Sequence, residues 1–438
     1  MIEPMEPKLF SPCDNSKGRI LILANEIYPQ ICVGGLGMFV AGISKGLSKN
    51  GWEVAVFTPQ NQKWVYLPHC SLQNQVRSRR LASEALVWCQ SHAWMPTWVW
   101  LQDLEGVFQM DVWEKKARII WTIHNPISAK GEWGYYYDEP EPKGDNEPID
   151  WGDDFFDFLG LIESGVKSAD LITTVSPTYA RDLSKIPPFS KTGKVLGIGN
   201  GIDKEEWNPL KDPFLSYQLK DNWREFKRIN KKNLQEIFRL PQKEIPVYAF
   251  ISRLMPQKGI DLMIQVLPSF LAKNETQLVV VGRGFKKYHR FFENLKTKFP
   301  SQVGLCLEAN FILPHQVFAG ADFLLLPSIS EPFGIVVAES RQYGTIPIVR
   351  KVGGLADQVK DGIDGFSFQE KSNEALMAKL YQSSWFWQTN QQLEMSLSGQ
   401  RLTKDWSEVV KEYEPYLLKS NQKGNPSYRG VKKTLFPG

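Results

Sequence analysis

Short apolar runs alternate with helix-period segments along most of these 438 residues, and that alternation leaves few folds open. A run of about four to eight apolar residues that returns after each amphipathic stretch builds a parallel sheet with helices on its faces. The alternation comes in two series. In the first, residues 19–24 form an apolar run, Gly34, Gly35, Leu36 and Gly37 follow at the turn, and a helical pattern of Phe39, Val40, Ile43 and Leu47 leads to a second run at 54–57. Residues 119–123 and 171–175 read as further strands of that half. The second series uses 246–252, 278–281, 323–326 and 346–349. Between them, residues 208–244 are rich in Lys, Asp and Asn and read as a linker region with one or two polar helices. The expected class is α/β with two similar halves, and the length suits two domains of about 200 residues each.

The remaining composition removes other classes. Hydrophobic content of 42% and charge of 23% fit a globular chain. A net charge of +4 with scattered Lys and Arg implies no nucleic-acid face and leaves cations for a local anion site. No apolar run reaches the roughly 20 residues that cross a bilayer, so no membrane partner is expected. The opening residues carry no hydrophobic signal region. Five cysteines without metal-type spacing predict reduced thiols in a cytoplasmic protein. No Asp-x-Asp triplet occurs, so neither a metal nor a cofactor is expected. Residues 138–148 are acidic and Pro-rich and read as an exposed loop, 402–417 as an amphipathic helix, and 420–438 as a tail with little to pack.

Chemistry concentrates in 330–354. Glu331 and Glu339 lie eight positions apart, around Pro332, Phe333, Gly334 and the apolar Ile335 to Ala338. A Pro-x-Gly turn entering a helix offers the backbone N–H groups of Phe333, Gly334, Ile335 and Val336 to an anion. One carboxylate would then meet a sugar hydroxyl and the other a ribose hydroxyl, with phosphates between them, which is the layout of a nucleotide-sugar site. Taken alone, the same stretch would also serve as a capped helix feeding the strand at 346–349. Three further elements favour the site. Gly34, Gly35 and Gly37 at a strand-to-helix turn allow close approach of phosphate or sugar, although tight packing explains such glycines equally well. Arg253 and Lys258, just past the first strand of the second half, would grip a diphosphate; the plainer alternative is a pair of surface cations. Gly282, after the strand at 278–281, joins this donor side. His124 ends a first-half strand before a Pro-directed turn and reads as a ligand contact rather than a packed core histidine.

These residues sit within a chain that resembles the bacterial glycogen synthase and plant starch synthase family, retaining glucosyltransferases of the GT-B fold. The resemblance is carried by Glu26 to Pro29 with Val33 to Gly37, Thr122 to Asn125, Thr173 to Ala180, Asn200 to Asp203 with Trp207 to Pro209, Ser252 to Leu254 with Gln257 to Gly259, and Tyr343 to Arg350 with Gly353 to Asp357. It implies two Rossmann-like domains with parallel sheets facing across a cleft: an acceptor-side domain at 1–207, a nucleotide-sugar domain at 208–400, and a C-terminal helix and tail at 401–438 packing back toward the first domain. It also implies glucose transfer from ADP-glucose or UDP-glucose to an α-glucan or oligosaccharide. Arg253 and Lys258 would hold the diphosphate, His124 would lie beside the reacting sugar, and Glu331 would contact it. Apart from the resemblance, Trp133, Tyr135, Tyr136 and Tyr137 offer faces that could stack on acceptor rings, and aromatic packing under a loop explains them equally well. Departures cluster in the first half. The family's Lys-x-Gly-Gly-Leu-Gly-Asp reads Cys32 to Met38, losing both charges, and its His-Asp-Trp-His reads His92-Ala93-Trp94-Met95, losing a carboxylate. These losses keep open transfer to a smaller acceptor, or a non-catalytic paralogue that binds glucan or another glucan synthase in priming or regulation.

Overall fold

The computed structural model describes residues 6–11, 16–30, 34–59, 72–125, 154–192, 195–308, 310–389 and 391–419. Cys32, the aromatic residues 133–137, the acidic loop 138–148 and the tail 420–438 lie outside the described residues. The chain divides into two compact units, parting between Gly201 and Ile202 and returning to the first unit at Asp405.

The first unit is built on a seven-stranded sheet of order β1-β3-β2-β4-β5-β6-β7. Its strands are β1 (Lys8–Phe10), β2 (Arg19–Leu23), β3 (Glu53–Phe57), β4 (Trp98–Gln102), β5 (Arg118–Ile123), β6 (Leu171–Thr174) and β7 (Leu196–Gly197). Among the described strands only the edge strand β1 runs antiparallel, against β3. The inner strands are apolar at nearly every position, because helices cover both faces and there is no solvent side to alternate with. β4 is an apolar run of the same kind, buried throughout, and is absent from the strands expected from the sequence. Successive strands add on opposite sides of β2, so the order switches between β2 and β4. The last described helix, Trp406–Leu418, belongs to this unit. It opens with a capping box, the Asp405 carboxylate accepting from Glu408 N–H while the Glu408 carboxylate accepts from Asp405 N–H, and it buries Trp406, Val409, Val410, Tyr413 and Leu417.

The second unit holds a six-stranded, wholly parallel sheet of order β10-β9-β8-β11-β12-β13. The strands are β8 (Val247–Ile251), β9 (Gln277–Val281), β10 (Val303–Cys306), β11 (Phe323–Leu326), β12 (Ile346–Arg350) and β13 (Phe366–Phe368). Its switch point lies between β8 and β11. The stretch expected as a linker is part of this unit's core. Helix Trp223–Ile237 starts at Asn222, whose side chain accepts from the N–H groups of Arg224 and Glu225. It buries Phe226 and Leu234, and Phe238 and Leu240 continue the same cluster. Trp207 also packs here, its ring stacked on His315 at 4.1 Å and 7°. The polar composition of this region belongs only in part to the outer face of one helix; its inner face buries Phe226 and Leu234 together with Asn230, Lys231 and Gln235.

Candidate active site

In parallel α/β sheets, ligands bind beyond the carboxyl ends of the strands at a switch point. In the second unit that point gathers the predicted donor residues. The loop after β8 runs alongside the loop after β9: Leu254 N–H donates to Arg283 O at 2.7 Å, and Phe285 N–H to Leu254 O at 2.8 Å. Gly282 makes this approach possible. Its φ is +151°, and a Cβ there would lie 1.8 Å from Ser252 O. Arg253 projects from this paired segment, and a short 3-10 turn, Pro256–Lys258, carries Lys258. The loop after β11 comes up against it, with Ile329 N–H donating to Gln257 O (2.7 Å) and Gln257 Nε2 to Ser330 O (3.0 Å).

This brings Lys258 and Glu331 into direct contact. Lys258 Nζ lies 2.6 Å from Glu331 Oε2, with side chains 11% and 10% exposed, and Ser328 Oγ donates to the same oxygen at 3.2 Å. Arg350, at the end of β12, braces the loop from below through Nη1 to Ser328 O (3.3 Å) and Ile329 O (3.0 Å). Gly353, at φ +45°, lets the next turn lie against Glu331: a Cβ would sit 2.1 Å from Glu331 O. The sequence assigns both Lys258 and Glu331 to a ligand but gives no hint that they pair with each other. Such pairing meets the cost of holding two charges near the protein interior.

Phe333, Gly334, Ile335 and Val336 enter helix Ile335–Gln342, whose N-cap Gly334 stands at φ +87° and has no side-chain cap. Its first N–H groups are thus left to a partner other than a capping side chain. Glu339 lies on this helix and is buried. Burial, with the Glu206 carboxylate nearby, pushes its pKa up to about 8. The helix ends at Tyr343, whose hydroxyl donates to Asp212; the same carboxylate meets His315 Nδ1 at 2.7 Å. Nothing in the sequence points to this buried brace at the end of the helix that carries Glu339.

In the first unit, Gly34, Gly35 and Gly37 lie where expected, at the turn into helix Gly35–Lys49. Gly34 N–H donates to the Glu26 carboxylate at 3.1 Å, and a Cβ on Gly35 would meet nothing within 4 Å. His124 follows β5 and is buried. Its Nε2 lies 2.8 Å from Gln102 Oε1, its main-chain N–H donates to Asp103 Oδ1 at 2.7 Å, and Phe39 sits edge-on to its ring at 4.6 Å. Asp103 also accepts from Asn125 N–H (3.3 Å) and Asn125 Nδ2 (2.5 Å).

Asp103 corrects one expectation. The segment His92 to Met95 stands before β4, at the amino ends of the strands. Arg19, the first residue of β2, donates to Ala93 O at 3.2 Å, and Glu53, the first of β3, accepts from Trp94 Nε1 at 3.0 Å. It is therefore no counterpart of a motif that lines a site at the carboxyl ends. The tetrapeptide at the carboxyl end of β4 is Gln102-Asp103-Leu104-Glu105, with an Asp in its second place. The carboxylate that seemed lost is present beside His124. The signal that would have found it is two polar residues directly ending an unbroken apolar run. Met38 does stand, half-buried, where the family has Asp.

Two parallel α/β units, each with candidate ligand groups at its switch point, define a GT-B glycosyltransferase fold. The chain is similar over 92% of its length to the catalytic domain of starch synthase IV from Arabidopsis thaliana, solved bound to ADP and acarbose (TM-score 0.76, 23% identity, 99% of that chain covered). It is similar over 95% to the sucrose-phosphate synthase of Thermosynechococcus elongatus (TM-score 0.64, 15% identity, 99% covered). The starch synthase catalytic domain family matches residues 19–90 and 61–196, and glycosyl transferases group 1 matches 231–383. The glycogen synthase of Fervidobacterium nodosum is 34% identical over 333 residues, 71% of this chain and 67% of that one. Glycogen synthase 2 of Nitrosococcus oceani is 33% identical over 280 residues, 59% and 57% of the two chains. This chain thus spans 57% to 67% of the length of these two relatives. It belongs to the bacterial glycogen synthase and plant starch synthase family.

Proposed function

We propose that this protein is a retaining glycosyltransferase that moves glucose from a nucleoside-diphosphate glucose, ADP-glucose or UDP-glucose, to an α-glucan. The observation that carries the reading is the Lys258–Glu331 pair at the switch point of the second sheet, its Lys258 on the same loop as Arg253. A diphosphate entering there would take Lys258 as its counter-charge. Glu331, released from it, would accept from a sugar hydroxyl. Arg253 and Lys258 would then stabilise the charge that develops on the leaving diphosphate, with the N–H groups of Gly334 to Val336 adding to it. Glu339 is assigned to the ribose side and His124 to the reacting sugar. Retention by front-face attack, a leaving phosphate that takes the acceptor's proton, and a cytoplasmic location are parts of this proposal.

Met38 favours a second reading, transfer to a shorter acceptor, because it removes a carboxylate from the first turn of the helix that the glycine turn opens. Asp103 argues against outright loss of transfer. A further alternative, a binding partner of another glucan synthase, predicts donor binding without turnover. One assay separates them: release of nucleoside diphosphate from ADP-glucose and UDP-glucose, with glycogen, with maltooligosaccharide, and with neither. Release that requires glycogen supports the proposal. Release with short acceptors only selects the second reading. Nucleotide binding without release under any condition refutes transfer.

A further inference from the structure

Gln102 is a buried amide at the carboxyl end of β4, 3% exposed, with no part in the chemistry above. Its side chain has one end that only donates and one that only accepts. Nε2 donates to Trp100 O at 3.4 Å, which turns Oε1 toward His124 Nε2 at 2.8 Å. An amide oxygen cannot donate, so His124 Nε2 carries the proton and Nδ1 holds a lone pair. Among the described residues no hydrogen bond reaches that Nδ1. The main chain is fixed separately, by Asp103. That residue stands at φ +49°, a conformation few non-glycine residues adopt, with its carboxylate taken up by the N–H groups of His124 and Asn125 and the Asn125 amide. Two consecutive residues therefore hold one imidazole: Asp103 sets its backbone and Gln102 sets its proton.

We propose that Gln102 is a positioning residue that keeps His124 as its Nε2–H tautomer and presents Nδ1 as a hydrogen-bond acceptor to a hydroxyl of the sugar being transferred. The sugar-contact half of this rests on the function proposed above; the tautomer half does not. Burial supports it, since it pushes the ring's pKa down to about 3 and keeps the acceptor lone pair free of a proton at neutral pH. Phe39, the contact from helix Gly35–Lys49, is apolar, and Asp103 is the charged group against the His124 main chain.

The test is nitrogen NMR on histidine-labelled protein, with His124 assigned by the signal lost in His124→Ala. The expected result is a protonated Nε2 and an unprotonated Nδ1 across the neutral range. Gln102→Leu, close in volume, should release the tautomer into a mixture and lower kcat about tenfold, the scale of one hydrogen bond, with donor KM nearly unchanged. Gln102→Glu keeps an acceptor at Nε2 but favours the imidazolium. It should raise the His124 pKa and make transfer recover as pH rises, a profile that a purely packing role would not produce. Should the Leu variant fail to fold, the Glu variant still decides. A native protein with the proton on Nδ1 overturns the assignment. So does a Gln102→Leu protein with native tautomer and native rate, or a Gln102→Glu protein whose His124 pKa does not rise. Because the tautomer is read without donor or acceptor, a protein with the expected ring and no transfer would defeat the proposed function alone.

Discussion

Lys258 and Glu331 are worth more to each other than either is alone. Removing one leaves a charge near the interior without its partner, at a cost of about 3–5 kcal/mol, while removing both costs much less. Lys258→Met should therefore lower the urea midpoint sharply, and Lys258→Met with Glu331→Gln should recover most of it. Nucleotide affinity, read by calorimetry, should fall in both proteins. Recovery of binding in the double variant would sever the pair from the donor site. Glu339 makes a prediction of the opposite kind. Its folded pKa of about 8 stands above its ordinary value of 4.5, so between these values the folded state holds a proton that the unfolded chain has released. Stability from this group is full below the unfolded value and is lost as pH rises to about 8, at no more than about 1.4 kcal/mol per pH unit. Urea midpoints of wild type and Glu339→Gln should agree near the acid end of that range and separate above it, the variant being the more stable. A constant gap would mean Glu339 is ionised throughout. At this scale the sequence was legible where charge is rare in an apolar context: Arg253, Lys258, Glu331 and His124 all lie just beyond strand ends. It was illegible for Asp103 and Gln102, because a matching His-x-Trp lay nearby, at the wrong end of the same strand.

Elements were easier to read than their neighbours. Strands of the two series fell within a residue or two of expectation, since buried parallel strands announce themselves as apolar runs. Contact between elements far apart in sequence left only a faint trace, as Gly42 and Gly46 show. They sit in the middle of helix Gly35–Lys49, where glycine is disfavoured, and they admit Trp406 of the last described helix. A Cβ on Gly42 would lie 2.0 Å from Trp406 Nε1, and one on Gly46 2.5 Å from Trp406 O. Gly42→Ala should lower thermal stability by about 1–3 kcal/mol or more, because the overlap outweighs any gain in helix propensity. Gly35→Ala, at the open start of the same helix, should be tolerated for folding. Calorimetry on the pair tests the packing; equal melting temperatures would show that the two helices do not meet in this way.

At the scale of the molecule, the described residues enter the second unit once, at Ile202, and leave it once, after Lys404. Among the described residues the second unit runs without a break from Ile202 to Lys404, whereas the first is completed by residues from Asp405 onward. Deleting 405–438 removes five buried side chains, the edge-on contact of Tyr413 with Trp100 at 4.9 Å, and the bonds of Asn50 to Ser407 and of Lys17 to Glu414. The truncated protein should lose or lower the unfolding transition of the first unit and retain that of the second. Unchanged melting of both would show the helix to be dispensable. This arrangement also bears on birth. A ribosome makes the seven strands of the first sheet early, but the helix that covers Gly42, Gly46 and Trp100 is made only after residues 202–404 of the second unit. The usual order, in which the amino-terminal domain is finished first, does not apply: residues 202–404 are all made while the first unit still lacks the helix that closes its apolar face.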